Sequence, residues 1–142
     1  MSRLFVDCEF NGFGGQLMSM ALVHENADAW WYEVLPLPEQ IDPWVAENVV
    51  PVLYSEPVSP EAFRASLIAF LAPLNCPTIC ADWYTDIVHF MSCFAGKDHT
   101  ESFAFPCKTE LRLINDYHSV IPHNALADAR AIKAAWNTGY SR

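Results

Sequence analysis

Asp7 and Glu9 lie two residues apart in Leu4-Phe5-Val6-Asp7-Cys8-Glu9-Phe10. Asp86 opens Asp86-Ile87-Val88-His89-Phe90-Met91, and His123 and Asp128 fall in His123-Asn124-Ala125-Leu126-Ala127-Asp128-Ala129. Four carboxylates and one imidazole are the groups needed to hold two divalent cations and take a proton from a water between them. Hard cations such as Mg²⁺ and Mn²⁺ prefer carboxylate oxygens of this kind. The chemistry that such a set serves is metal-dependent hydrolysis, with phosphodiesters the leading substrate class.

Each stretch has an ordinary reading beside the functional one. With 17 acids in 142 residues, chance alone supplies about two acid-x-acid pairs. Asp7 and Glu9 differ from such pairs in their setting, because apolar residues around them place both on one face of a core strand. A buried, unpaired carboxylate is costly, and a cation removes that cost. The alternative is structural salt bridging. Asp86 sits at the first turn of a helix, where the macrodipole alone favours an acid. Asp82, at the end of the preceding strand, competes for the same role. His123 and Asp128 bracket the start of the last helix. There a histidine can titrate near neutral pH and accept a proton, or Asp128 can simply neighbour Arg130 and Lys133.

The elements that must position these groups follow from the pattern. Residues 3–9 alternate, with Leu4, Val6 and Cys8 on one face and Phe5, Asp7 and Glu9 on the other. Gly12-Phe13-Gly14-Gly15 then reads as a hairpin turn. Residues 16–23 and 29–35 read as two further antiparallel strands joined by a turn at 24–28. Asp42-Pro43 predicts a short helix ending before Pro51. Ser59-Pro60-Glu61 starts a longer one carrying Phe63, Leu67, Phe70, Leu71 and Leu74. Residues 78–81 form a buried strand. Thr85 is expected to cap a helix with the stripe Ile87, Val88, Met91 and Phe94. Residues 102–105 read as a short strand stopped by Pro106. Thr109 is expected to cap a helix carrying Leu111, Leu113, Ile114 and Tyr117. Residues 124–136 form an alanine-rich helix stopped by Gly139. The sum is an α/β fold, a mixed sheet of three antiparallel strands followed by further strands, with helices packed on it.

Length and composition suit one domain over residues 1–142. Hydrophobic residues make up 52% and charged residues 18%, which excludes a disordered chain. No apolar run approaches the ~20 residues of a membrane span, and no secretory signal is expected. The cysteines number five. They include no C-x-x-C pair, and Cys76 and Cys80 lack neighbouring zinc partners, so reduced thiols and a cytoplasmic location are expected. A net charge of -9 excludes a protein that coats nucleic acid through a basic surface. It does not exclude an enzyme that grips a few phosphates through bound cations. His24 is assigned to a turn, His99 to a polar loop and His89 to the helix of Asp86. Trp30-Trp31-Tyr32 is assigned to sheet packing.

Taken in order, the three stretches resemble the DEDDh 3′→5′ exonucleases of the ribonuclease H-like superfamily. Val6-Asp7-Cys8-Glu9-Phe10 is similar to the first motif of that family and Asp86-Ile87-Val88-His89-Phe90-Met91 to the second. His123-x4-Asp128 is similar to the third and is the most specific. Many relatives carry asparagine where this chain has Asp82. The motifs span nearly the whole chain and look most like those of small bacterial and phage exoribonucleases. The resemblance implies a ribonuclease H-like mixed sheet. It implies two Mg²⁺ or Mn²⁺ ions held by Asp7, Glu9, Asp86 and Asp128, with His123 as general base. It further implies RNA or DNA 3′ ends as substrate, RNA favoured, and nucleoside 5′-monophosphates as product. Phe10 and Asn11 would lie against the terminal nucleotide, and a homodimer is implied by the habit of similar small exonucleases. The competing expectation is a catalytically silent member of the fold that binds nucleic acid or protein.

Overall fold

The computed structural model describes residues 2–26, 28–96 and 105–138. Three strands come first: β1 (Arg3–Phe10), β2 (Leu17–His24) and β3 (Trp30–Val34). Helix α1 (Pro43–Asn48) runs into a 3-10 turn at Val50–Val52, and α2 (Pro60–Leu71) follows. The chain continues through β4 (Thr78–Ala81), α3 (Tyr84–Ser92), β5 (Lys108–Leu111) and α4 (Ala125–Ala135). The strands form one mixed sheet in the order β3-β2-β1-β4-β5. The β1–β2 and β2–β3 pairs are antiparallel, and β4 is parallel to both β1 and β5. A five-stranded mixed sheet flanked by four helices is compatible with a ribonuclease H-like fold. No helix among the described residues is long and apolar enough to cross a membrane.

Strand alternation sorts the side chains into two layers. Leu4, Val6 and Cys8 pack with Phe63, Leu67 and Leu71 of α2 and Phe90 of α3. Phe5 packs on the other face with Ile132, Ala135 and Trp136 of α4 and its end. Each large side chain buried there contributes ~1.5–3 kcal/mol. The alanines of α4 keep its sheet-facing side thin. Ala125 and Ala129 lie directly against Ala21 and Val23 of β2, so the helix approaches the sheet closely.

The caps follow their chemistry. Asp42 Oδ1 accepts from the Trp44 and Val45 backbone N–H groups. Ser59 Oγ accepts from Ala62 N–H and Asn124 Oδ1 from Ala127 N–H, each satisfying a donor that the helix start leaves open. In the β1–β2 hairpin Gly12 and Gly14 adopt positive φ. Gly15 is held there by space, since a Cβ would lie 1.9 Å from the Asn11 carbonyl oxygen.

Three expectations are corrected. Thr109 does not cap a helix. Residues Lys108–Leu111 form β5, paired in parallel with Thr78–Ala81, because backbone pairing along β4 outweighs the local helical spacing. Ile114 reaches the core from an irregular segment after it. Thr85 lies inside the first turn of α3, whose N-cap is Trp83 without a side-chain bond. The expected α3 stripe holds in part: Ile87 and Phe94 pack on the core, but Val88 and Met91 are exposed while Asp86 and Phe90 are buried. The strand expected at 102–105 falls almost wholly outside the described residues, as do His99 and Gly139.

Candidate metal centre

β1 pairs with β4 only through Arg3, Leu4 and Phe5. Beyond Phe5 the two strands diverge, and a crevice opens at the carboxyl ends of the parallel strands, where ligands bind in open α/β sheets. Asp7 and Glu9 stand on the part of β1 that borders it. Opposite them on β2 are Ala21 and Ser19, small enough to leave room. The cavity measures about 650 Å³ and is lined by Asp7, Glu9, Asp82, Asp86, His123 and Asp128, with Phe10, Trp44, Trp83 and Tyr117 among its walls. Among the described residues no lysine or arginine lines it.

Each carboxylate arrives by a different route. Asp86, only 3% exposed, comes from α3 to the free edge of β1. There its Oδ1 accepts the Cys8 backbone N–H at 3.1 Å, a donor that β4 would have taken had the ladder continued. Asp128 is buried in the first turn of α4. Its Oδ2 accepts the His123 backbone N–H at 3.1 Å, so the five-residue spacing closes a local loop. His123 has φ +70, a left-handed conformation uncommon outside glycine. The conformation is held on both sides. Asn124 caps α4 and donates through Nδ2 to the Val52 carbonyl at 2.8 Å, and the His123 ring meets the Trp44 ring edge-on at 5.0 Å.

The carboxylates and the imidazole form two groups. Ligand atoms of Glu9, His123 and Asp128 lie within 4.8 Å of one another, and so do those of Asp7, Asp82 and Asp86. The resemblance implies that Asp7 bridges two cations, one shared with Glu9 and Asp128 and one with Asp86. Asp7 stands with Asp86 in the second group, and Asp82 stands beside Asp86 rather than in place of it. An offset of four residues across a strand end and a helix start brings both to one place.

Burial of so many like charges raises their proton affinity. Asp7 is pushed well above the usual carboxylate range, first by burial and then by Asp86, Glu9, Asp128 and Asp82. Burial, followed by Asp128 and Asp86, pushes Glu9 up to about 9. Burial and then Asp82 push Asp86 up to about 8, against the lowering effect of the Cys8 N–H. Asp82 and Asp128 are raised mainly by burial. Among the described residues no lysine or arginine lines the cavity to offset them.

Asp7 Oδ2 and Asp128 Oδ1 are buried and lack a hydrogen-bond partner, one in each group. The Ser119 hydroxyl favours the ionised form of Asp128 but makes no hydrogen bond of good geometry. Buried acceptors without donors, in a cluster made of hard oxygen ligands, suit divalent cations. The residues therefore fit a pair of divalent cations.

Phe10 and Asn11 divide. Phe10 lines the cavity and stacks on His89 at 4.9 Å. His89 thus faces a protein ring, and its burial lowers its proton affinity. Asn11 is spent on structure: Nδ2 donates to the Gln40 carbonyl and Oδ1 accepts Asp42 N–H, each at 2.8 Å. Tyr117, expected on a helix, instead lines the cavity, and its hydroxyl stabilises ionised Asp82. No spacing signal marked it. No family model matches the chain, and no curated protein does.

Proposed function

We propose that this chain is a metal-dependent 3′→5′ exonuclease of the DEDDh type, acting on RNA or DNA with RNA favoured. The observation that carries the reading is the meeting of five acids and one histidine in a single cavity, with one unpartnered carboxylate oxygen in each of two groups. Glu9 and Asp128 would hold one divalent cation, and Asp7, Asp82 and Asp86 the other. When bound, the pair supplies positive charge to the attacking and leaving oxygens of an in-line displacement.

The chain's own residues supply the rest. A ring nitrogen of His123 takes the proton of the attacking water, whose oxygen bonds to phosphorus as the bond to the 3′ oxygen breaks. The departing 3′ oxygen takes a proton from solvent water, so the strand leaves one nucleotide shorter with a 3′ hydroxyl, and a nucleoside 5′-monophosphate is released. Trp44 against the His123 ring and Asp128 on the His123 backbone N–H position this residue. The cavity volume falls within the ~300–1,000 Å³ of small-ligand pockets, which suits a terminal nucleotide better than a duplex. Phe10, Trp44 and Trp83 offer faces for bases without reading sequence.

The test is a panel of 5′-end-labelled RNA and DNA of one sequence, with Mg²⁺, Mn²⁺ or EDTA, and products separated by length. The expected result is a metal-dependent ladder shortening from the 3′ end, abolished in folded Asp7→Asn and Asp128→Asn. Absence of shortening with either metal, or wild-type turnover in folded Asp7→Asn, overturns the reading.

A further inference from the structure

A second cavity, of about 530 Å³, lies on the flank of α4 over the start of β3. Its walls include Trp30, Arg130, Lys133 and Asp28. Trp30 is 50% exposed, and the Arg130 guanidinium lies 5.4 Å from its ring centroid. Lys133 Nζ donates to the His24 carbonyl at 2.8 Å, which fixes the ammonium at the pocket and leaves two of its three donors over. Neither cation forms an ion pair among the described residues. In a chain with eight basic residues against 17 acids, two unpaired cations converging on one hollow are unexpected. Lys133 in the last turn complements the helix dipole, but that role requires neither a cavity nor an exposed tryptophan.

We propose that this pocket binds a nucleotide. Arg130 and Lys133 supply a charge pair for a phosphate, the guanidinium being suited to bidentate contact. The open part of the Trp30 ring offers a stacking face for a base. The Asp28 carboxylate can accept from a ribose hydroxyl, as an acid does in dinucleotide folds. The pocket is distinct from the acidic cavity. The two linings share no residue, and the pocket lies at the Val23–Trp30 pair of the sheet, across from Phe5 rather than from Asp7 or Glu9. The site requires no metal and does not depend on the hydrolytic reading.

The test uses the whole chain in EDTA, with adenosine 5′-monophosphate, adenosine, inorganic phosphate and a single-stranded oligonucleotide as probes. Binding is read from indole resonances and titration calorimetry. The expected result is saturable binding of the monophosphate, tighter than phosphate or adenosine, with the Trp30 indole signal shifted. The double variant R130Q/K133Q should bind at least ~10-fold more weakly while keeping the wild-type fold by circular dichroism. An oligonucleotide that binds in EDTA and is weakened equally by the variant identifies a strand as the source of the nucleotide. One that does not compete identifies the free monophosphate. No saturable binding, equal binding by the variant, or phosphate bound as tightly as the monophosphate overturns the proposal.

Discussion

The Cys8 backbone N–H donates to Asp86 Oδ1 at 3.1 Å, joining residues 78 positions apart. The bond holds α3 against the free edge of β1 and places the Asp86 carboxylate beside Asp7. Charge and hydrogen bonding are therefore separable at this side chain. Asp86→Asn keeps an acceptor for the N–H and removes the charge. Its turnover should fall by at least ~100-fold with no loss of melting temperature. Asp86→Ala should lose the same activity and also ~1–3 kcal/mol of stability, because a buried N–H is left unsatisfied. Paired thermal scans and end-label assays check this. Equal melting temperatures for the two variants would mean that the bond does not anchor α3. The same assays on Asp82→Asn measure the share of the acid that stands beside Asp86.

His123 combines the proposed role of general base with a strained backbone. At φ +70 glycine is the residue best suited to the position. His123→Gly should therefore fold with stability equal to or above wild type, while its rate falls by ~10²–10⁴-fold. A base acts only when neutral, so the acidic limb of the wild-type pH–rate profile should flatten in the variant, and stabilisation by Mn²⁺ should persist because the carboxylates remain. A wild-type rate and limb in His123→Gly would remove the histidine from the mechanism.

The acid cluster makes stability depend on pH in a stated direction. Burial raises Glu9 to about 9 and Asp86 to about 8 in the folded protein, against roughly 4 for unfolded carboxyls. Between these values the folded state binds more protons than the unfolded state, so stability falls as pH rises. The stabilisation is complete below about pH 4 and is lost as pH climbs through about 8 to 9. In EDTA the melting temperature should accordingly decline from about pH 5 to about pH 9. Millimolar Mn²⁺ should flatten the decline, because cations bind the deprotonated cluster and stabilise the fold. Calorimetry in buffers of different ionisation enthalpy should show protons released on binding. A metal-free profile that is level or rising over this range would contradict the buried cluster.

Asn124 connects α4 to the segment after α1. Its side chain caps Ala127 N–H and donates to the Val52 carbonyl while almost fully buried. Asn124→Ala should cost ~2–3 kcal/mol from the lost cap and the unpaired carbonyl. Activity should also fall, because His123 immediately precedes it. Denaturant midpoints and turnover measured on the same preparation test the coupling. Unchanged stability would show that the segment is held by packing alone.

The first half of the sheet was legible locally. Alternation from Arg3 to Glu9, the glycines of the hairpin and the apolar runs after them specify three strands within a residue or two of their observed bounds. The reason is that a hairpin is built from neighbours and its two faces show directly in a period of two. The placement of Asp7 and Glu9 on one face follows from the same period. Helix α4 was equally plain from the alanines along its length, and Asn124, expected as its first residue, is its cap.

Contacts between distant segments decided the rest. Thr109 to Tyr117 carries helical spacing, yet Lys108–Leu111 pairs with Thr78–Ala81 as an edge strand. A ladder partner some thirty residues away leaves no mark in a local window. On α3 the apolar positions suggested Val88 and Met91 as the inner face. The helix instead turns Asp86 inward, because the Cys8 N–H at the edge of β1 requires an acceptor. The choice between Asp82 and Asp86 could not be made from spacing. The divergence of β4 from β1 and the entry angle of α3 bring both to Asp7. Tyr117 and the φ of His123 likewise arise from segments held by distant partners. The sequence by itself determined which acids share a strand face and which helix carries Asp128. Only the tertiary structure decided which carboxylates meet, because their grouping depends on where the sheet opens, and that is set by pairing between residues far apart in the chain.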